Sequence, residues 1–212
     1  SALGTGMNSL VYCLAADSGG NIYVGGEFGT AGGTTANYIA KWNGTSWSAL
    51  GTGMNGAVKA LALDSSGNIY AGGYFTSAGG TTVNRIAKWN GSSWSALGTG
   101  LNDAAFTIAI DTGGSVYVGG VFTSGGGTTV NYIAKWNGTS WAALTTGLNN
   151  SSSTLAFDSS GALYVGGSFN VAGGEVAPFI SKWNGSSWAE VGLRAINGGV
   201  EDVALDSSGN LY

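Results

Sequence analysis

Short apolar runs alternate with polar, glycine-rich breaks along this chain, and no segment keeps a 3.6-residue apolar period for three turns. Residues 48–94 show the pattern most clearly. "VKALALD" (58–64) is apolar and ends at a turn; "NIYAGGYF" (68–75) follows after "SSG", then "NRIAKW" (84–89), then "SWSAL" (93–97). These stretches predict four β-strands joined by turns. In Asp64-Ser65-Ser66-Gly67-Asn68 a carboxylate can accept backbone N–H bonds while Gly supplies positive φ. Asn90-Gly91 predicts a two-residue hairpin between the third and fourth strands. With such a turn, Trp42 and Trp47 of the preceding segment share one face and lie diagonal to one another.

The pattern recurs. Trp42, Trp89, Trp136 and Trp183 are 47 residues apart, and so are Trp47, Trp94, Trp141 and Trp188. The chain divides into copies 1–47, 48–94, 95–141 and 142–188 and a partial copy 189–212, with one extra residue in "AEVGLRAING". The first two copies match at 34 of 47 positions, which points to recent duplication. A period of 40–50 residues with several strands per copy predicts an all-β fold: a β-propeller of four-stranded blades, about five of them, forming one domain over 1–212. On this reading "SAL" (1–3) enters as a fourth strand, and the last copy supplies a first strand and part of a second. The incomplete last blade offers an edge for association. Ala15, Ala62, Ala109, Ala156 and Ala204 form a column on the first strands, small enough for crowding near an axis.

Composition then narrows the function. Charged residues are 8% and the net charge is −4, with seven Lys and Arg, so no basic stripe is present to neutralise phosphates or an anionic membrane surface. Histidine is absent, which removes the commonest general base and zinc ligand. Cys13 is alone, so no intrachain disulfide can form, and its strand-like setting predicts a buried, inert thiol. No run of 18 apolar residues is present, which excludes membrane insertion as a helix. The chain opens and stops inside repeats, which suggests a piece of something longer.

The strand "NIYVGG" (21–26), the polar loop after it, and "NYIAKWNGTSW" (37–47) resemble the kelch motif; the elaborate "FTSAGGTTVN" (75–84) departs from it. The fuller sentence "IAKWNGSSW…LGTGMNG…ALALDSSGNIYAGGYF" resembles repeat regions of large bacterial secreted or surface proteins and of the fungal cortical polarity-marker family. The resemblance spans essentially the whole chain. It implies a propeller, and the tachylectin type of horseshoe crabs implies that five blades of this length can close. It leaves activity open, because such propellers host enzymes and binding modules alike.

Candidate site residues are those where the copies disagree. Tyr12, Lys59, Phe106, Ser153 and Glu201 stand at the mouth of the first strand, Glu27, Tyr74, Val121 and Ser168 at the end of the second, and Tyr38, Arg85, Tyr132 and Phe179 at the start of the third. Propeller loops at these places emerge on one face, so the three sets should converge there as an aromatic and charged recognition surface; drift on a solvated face explains the same variation. The paired tryptophans (Trp42, Trp47, Trp89, Trp94, Trp136, Trp141, Trp183, Trp188) read first as cross-strand packing and second as a repeated platform for sugar rings. Asp17, Asp64, Asp111, Asp158 and Asp206 read as turn caps, since the further carboxylates of a calcium loop are missing. No metal or other cofactor is expected. Sequons at Asn43, Asn90, Asn137, Asn184, Asn149 and Asn150 matter only in a secreted eukaryotic protein.

Three functions remain. The first is a non-catalytic extracellular scaffold or adhesion module binding protein or glycan at a cell surface. The second is a lectin-like propeller with one weak sugar site per blade. The third is a glycosidase with a carboxylate pair such as Glu201 or Asp202 with Asp103. Adjacent Glu201 and Asp202 in one strand would face opposite sides and could not serve one substrate together.

Overall fold

The computed structural model describes residues 3–192, 196–206 and 208–212. It divides into two compact units, Ser1–Gly100 and Leu101–Tyr212. Among the described residues all regular structure is β.

Unit 1 holds β1 (Val11–Ala16), β2 (Ile22–Gly26), β3 (Thr30–Ala31), β4 (Thr34–Thr35), β5 (Ile39–Trp42) and β6 (Trp47–Ala49). The same order returns as β7 (Val58–Leu63), β8 (Ile69–Gly73), β9 (Ser77–Ala78), β10 (Thr81–Thr82), β11 (Ile86–Trp89) and β12 (Trp94–Ala96). Unit 2 repeats it twice. Its first set is β13 (Ala105–Ile110), β14 (Val116–Gly120), β15 (Ser124–Gly125), β16 (Thr128–Thr129), β17 (Ile133–Trp136) and β18 (Trp141–Ala143). Its second is β19 (Ser152–Phe157), β20 (Leu163–Gly167), β21 (Val171–Ala172), β22 (Glu175–Val176), β23 (Ile180–Trp183) and β24 (Trp188–Glu190). Each set folds into one four-stranded antiparallel sheet, ordered β1-β2-β5-β6 and likewise in the others, with a two-stranded ribbon inserted between its second and third strands. These sheets are propeller blades, as the 47-residue period predicts.

The Gly-Gly ending of each second strand has a steric cause. A Cβ on Gly25 would stand 2.5 Å from Val58 Cγ1 of the following copy, and one on Gly26 would stand 2.1 Å from the Leu10 carbonyl oxygen. The first glycine therefore lets the next sheet approach. The second sits where the β1–β2 register slips between Val11 and Cys13. The same slip occurs in the other three sheets.

The core lies between successive sheets of a unit. In unit 1, Tyr23 and Ile39 of the first sheet cluster with Leu50, Met54, Val58, Ala71 and Phe75. In unit 2, Tyr117 and Ile133 cluster with Leu144, Leu148, Leu163, Val165 and Phe169. The alanine column faces tyrosines across the strand pair: Ala15 opposes Tyr23, Ala62 Tyr70, Ala109 Tyr117 and Ala156 Tyr164. The small side chain leaves room beside each ring.

Several expectations need correction. The third-to-fourth strand connection is not a two-residue turn. Trp42 pairs directly with Trp47, and residues 43–46 form the connection. Only the glycine has positive φ, +97° at Gly44, while the asparagine acts through its side chain: Asn43 Oδ1 accepts from the Thr45 and Ser46 N–H groups. The tryptophans are therefore opposite rather than diagonal, with ring centroids 5.2 Å apart. The elaborate "FTSAGGTTVN" loop contains a short ribbon: Ser77–Ala78 and Thr81–Thr82 pair around Gly79-Gly80, both at positive φ. In the fifth copy, residues 200–204 form no strand, and the described residues make only an isolated bridge, Leu205 with Leu211. Glu201 and Asp202 therefore do not alternate along a strand. The proposed entering strand, apart from Leu3, lies outside the described residues.

Candidate functional site

The residue before each third strand is held in an unusual backbone state. Tyr38, Arg85, Tyr132 and Phe179 have φ of +65°, +70°, +67° and +65°. Non-glycine residues reach this left-handed region at a cost of about 1–2 kcal/mol. Backbone hydrogen bonds hold them there. Arg85 N–H donates to the Phe75 carbonyl (2.8 Å), and the Arg85 carbonyl accepts from Gly73 N–H (3.0 Å); the other three copies repeat the pair. Phe28, Phe75, Phe122 and Phe169 are fully buried beneath, so the anchor is rigid.

In unit 1 this corner joins the two other variable positions. Lys59, on β7, places its ammonium 3.2 Å from the centroid of the Tyr12 ring on β1 and 6.0 Å from that of Tyr74, just past β8. A cation over a ring face is attracted by the quadrupole, worth about 0.5–1 kcal/mol at exposed sites. The Tyr12 hydroxyl bonds to Glu27, which raises the phenol pKa. The Arg85 guanidinium bonds to the Tyr74 carbonyl. Tyr12, Glu27, Lys59, Tyr74 and Arg85 thus form one cluster of two exposed rings, an exposed carboxylate and two half-buried cations. Tyr38 packs partly into the core beside it.

Unit 2 replaces these chemistries. Phe106 on β13 and Phe179 before β23 are half-buried, Tyr132 packs partly on the core, and Glu201 is exposed. Ser153 is half-buried and Ser168 exposed, with Val121 half-buried. The Ser152 hydroxyl, buried, donates to the Tyr132 carbonyl at 2.7 Å.

The tryptophans divide by strand. Trp47, Trp94 and Trp141 are buried and Trp188 is half-buried. The Trp47 indole N–H donates to the Leu3 carbonyl, Trp94 to Leu50 and Trp188 to Leu144, at 2.9, 2.9 and 3.1 Å. Each bond reaches back 44 residues. Among the third-strand partners Trp42, Trp89 and Trp136 are half-buried and Trp183 is buried. The packing reading describes the fourth-strand set, while three of the third-strand rings remain half-buried.

The turn aspartates act as local caps. Asp17 accepts from Gly19 and Asn21 N–H, from the Asn21 amide and from the Tyr23 hydroxyl, and Asp64 and Asp206 repeat the arrangement with Asn68 and Asn210. The asparagine bonds hold Asp17 and Asp206 below the usual carboxylate pKa. Asp158 is lowered further, chiefly by Lys182, whose ammonium lies 2.8 Å away. Asp111 caps Ser115. Asp103 accepts from Ala104 N–H, and Asp202 from Val203 N–H and the Thr154 hydroxyl. Among the described residues no cluster of three His, Cys, Asp or Glu could hold a metal. The Asn43, Asn90, Asn137 and Asn184 side chains are likewise turn caps. Burial pushes the Cys13 thiol up to about 12. No helix of the described residues is long and apolar enough to cross a membrane.

Two features escaped the sequence reading. The strained corner carries Tyr, Arg and Phe where turn chemistry favours Gly or Asn, so composition hides it. The capping asparagines Asn8, Asn55, Asn102 and Asn149 pin the inserted ribbons; Asn55 Oδ1, for example, accepts from Thr76 and Ser77 N–H. Their 47-residue spacing was the available signal.

The family model described as the Rax2 C-terminal beta propeller domain matches residues 1–156. No curated protein matches the chain. Among solved structures the chain is similar to virginiamycin B lyase from Staphylococcus aureus, at 14% identity and TM-score 0.61 over 97% of this chain and 64% of that one. It is similar to PorZ, an essential bacterial surface component of the type-IX secretion system of Porphyromonas gingivalis, at 14% identity and TM-score 0.53 over 93% of this chain and 30% of that one. YCF48 bound to D1 peptide gives 14% and 0.56 over 97% and 60%. The chain spans 30% to 64% of the length of these structures, and at this identity the likeness is one of fold.

Proposed function

This chain belongs to the Rax2 C-terminal β-propeller family, and from that premise we propose that it is a non-catalytic interaction module displayed outside the cell, recognising protein. One observation carries the reading: the Lys59 ammonium sits on the Tyr12 ring with Tyr74, Glu27 and Arg85 around it, on a frame whose repeated residues are otherwise committed to packing. Rings beside a few charges suit the core and rim of a protein-binding patch. The description of PorZ as a surface component supports the location, as does the resemblance to kelch-like repeats of large surface proteins. YCF48 with its bound peptide supports a peptide-recognising face. Two of the similar structures are lyases, but this chain has no histidine and its turn aspartates serve as caps, which argues for binding rather than chemistry.

The half-buried third-strand tryptophans favour the lectin-like alternative, one weak sugar site per blade. Both readings meet one test: fluorescent chain is added to intact cells of the source organism, untreated, protease-treated or periodate-treated. Binding lost on protease treatment and in the Lys59→Ala/Tyr74→Ala double variant supports protein recognition. Binding lost on periodate treatment and in Trp89→Ala supports the lectin. Binding indifferent to Lys59 and Tyr74 overturns the first reading.

A further inference from the structure

Two cations of unit 1 stand apart from the rest of the positive charge. The chain has seven Lys and Arg. Lys41, Lys88, Lys135 and Lys182 occupy one repeated position, each over a tyrosine of its own sheet, and the last three pair with the turn aspartates Asp64, Asp111 and Asp158. Arg194 lies outside the described residues. Lys59 and Arg85 remain. Among the described residues neither is ion-paired with a carboxylate.

Both stand at the same end of the second sheet. Lys59 follows Val58, which pairs with Gly73, and the Arg85 carbonyl accepts from Gly73 N–H. Tyr74 joins the two: the Lys59 ammonium lies 6.0 Å from its ring centroid, and the Arg85 guanidinium donates to its carbonyl. A guanidinium has five N–H donors, so a single carbonyl partner leaves room for a carboxylate to bind in bidentate fashion. The left-handed backbone at Arg85, held by its bonds to Phe75 and Gly73, fixes where that side chain starts. Glu27 of the neighbouring sheet is engaged by the Tyr12 hydroxyl.

The other copies carry no cation at either position. Tyr12, Phe106, Ser153 and Glu201 stand where Lys59 does, and Tyr38, Tyr132 and Phe179 stand where Arg85 does. The corner accepts tyrosine at φ +65° and +67°, so the fold does not require arginine there. Two cations at one end of one sheet, without a carboxylate and in a chain of net charge −4, fit a negative ligand.

We propose that this corner docks an acidic segment of the partner protein, with a carboxylate on the Arg85 guanidinium, the Lys59 ammonium beside it and the exposed Tyr74 ring against the neighbouring side chain. The proposal rests on the protein-recognition reading above and names what the partner presents. Two cations suit a short acidic segment, whereas a nucleic acid needs a longer basic track.

Fluorescence anisotropy with a labelled glutamate-rich peptide carrying one central tyrosine tests it, against the same peptide with glutamine in place of glutamate. The acidic peptide should bind at least tenfold more tightly than the glutamine peptide and should weaken as salt rises. Arg85→Tyr and Lys59→Tyr each install a residue that another copy carries at that position, so folding should survive, and thermal unfolding checks that it does. Each should weaken the acidic peptide at least fivefold. Equal binding of the two peptides, no binding of the acidic one, or binding unchanged in both variants overturns the proposal. Polygalacturonate that binds more tightly than the peptide overturns it in favour of an acidic glycan. The cell-binding assay separates this proposal from the reading beneath it. Cell binding lost in Lys59→Ala/Tyr74→Ala but kept in both Arg85→Tyr and Lys59→Tyr overturns the acidic partner alone; cell binding kept in every variant overturns both.

Discussion

The Trp94 indole N–H donates to the Leu50 carbonyl oxygen at 2.9 Å, joining residues 44 positions apart in sequence. The bond ties the fourth strand of one sheet, β12, to the chain leaving the sheet before it, just past β6. Trp47 and Trp188 repeat it with Leu3 and Leu144. This staple explains why tryptophan, with a donor on a large apolar ring, recurs at that position.

Trp94→Phe keeps an aromatic ring and removes the donor, while the Leu50 carbonyl retains its bond from Gly53 N–H at 3.2 Å. It should cost about 0.5–1.5 kcal/mol, read as a lower denaturant midpoint with unchanged slope. A neutral substitution would show that ring packing alone holds the copies together.

Gly25→Ala should destabilise through overpacking, because the new methyl meets Val58 Cγ1 at 2.5 Å and Cys13 Sγ at 2.6 Å. The expected loss is about 1–3 kcal/mol. Gly25 has no left-handed backbone to excuse the effect, so the measured loss isolates the close approach of the next sheet.

Thr145 has φ +55° where Gly51 and Gly98 stand at +62° and +60° in the preceding copies. Thr145→Gly should relieve about 1–2 kcal/mol of strain, partly offset by greater freedom of the unfolded chain, about 0.4–1 kcal/mol. It also removes one of three donors at the Leu144 carbonyl, which accepts from the Thr145 hydroxyl (2.7 Å), Gly147 N–H (3.1 Å) and the Trp188 indole (3.1 Å). A modest rise in melting temperature is expected.

Acid should weaken the fold through its capped turns. Asp17, Asp64, Asp158 and Asp206 are all held below the ordinary carboxylate pKa, so the folded chain binds fewer protons there than the unfolded chain. Their contribution is complete above an unfolded value of about 3.9 and is lost as pH falls through the lowered folded values. Lys182 is raised, chiefly by Asp158, so its contribution persists to above the ordinary lysine range and fades only as pH rises through the folded value. In Asp158→Asn, melting temperature should fall less between pH 5 and pH 2 than in the wild type.

The blade was legible in the sequence because its signals are local. Asp64 and Gly67 announce a turn, and the Leu61-to-Tyr70 stretch announces strands on either side. The ribbon inside "FTSAGGTTVN" was legible in principle from Gly79-Gly80, but its two-residue strands are too short for an apolar pattern. The Asn43-Gly44 turn misled because an asparagine can cap through its side chain as readily as it can adopt positive φ. The corner at Arg85 was hidden, since arginine is not a residue that advertises a left-handed backbone. Its variation among copies did mark it as a candidate, and so did that of Tyr12, Lys59 and Tyr74; what sequence lacked was the contact between them.

The chain joins a repeated frame to a varied face, and one measurement tests that separation. Thermal unfolding and binding to protease-sensitive cell-surface sites are measured together for Tyr12→Ala/Lys59→Ala/Tyr74→Ala. Binding should weaken at least tenfold with a stability loss of about 1 kcal/mol or less, the scale of an exposed cation–ring contact. A variant that binds as the wild type does, or one that unfolds before it can bind, would contradict it.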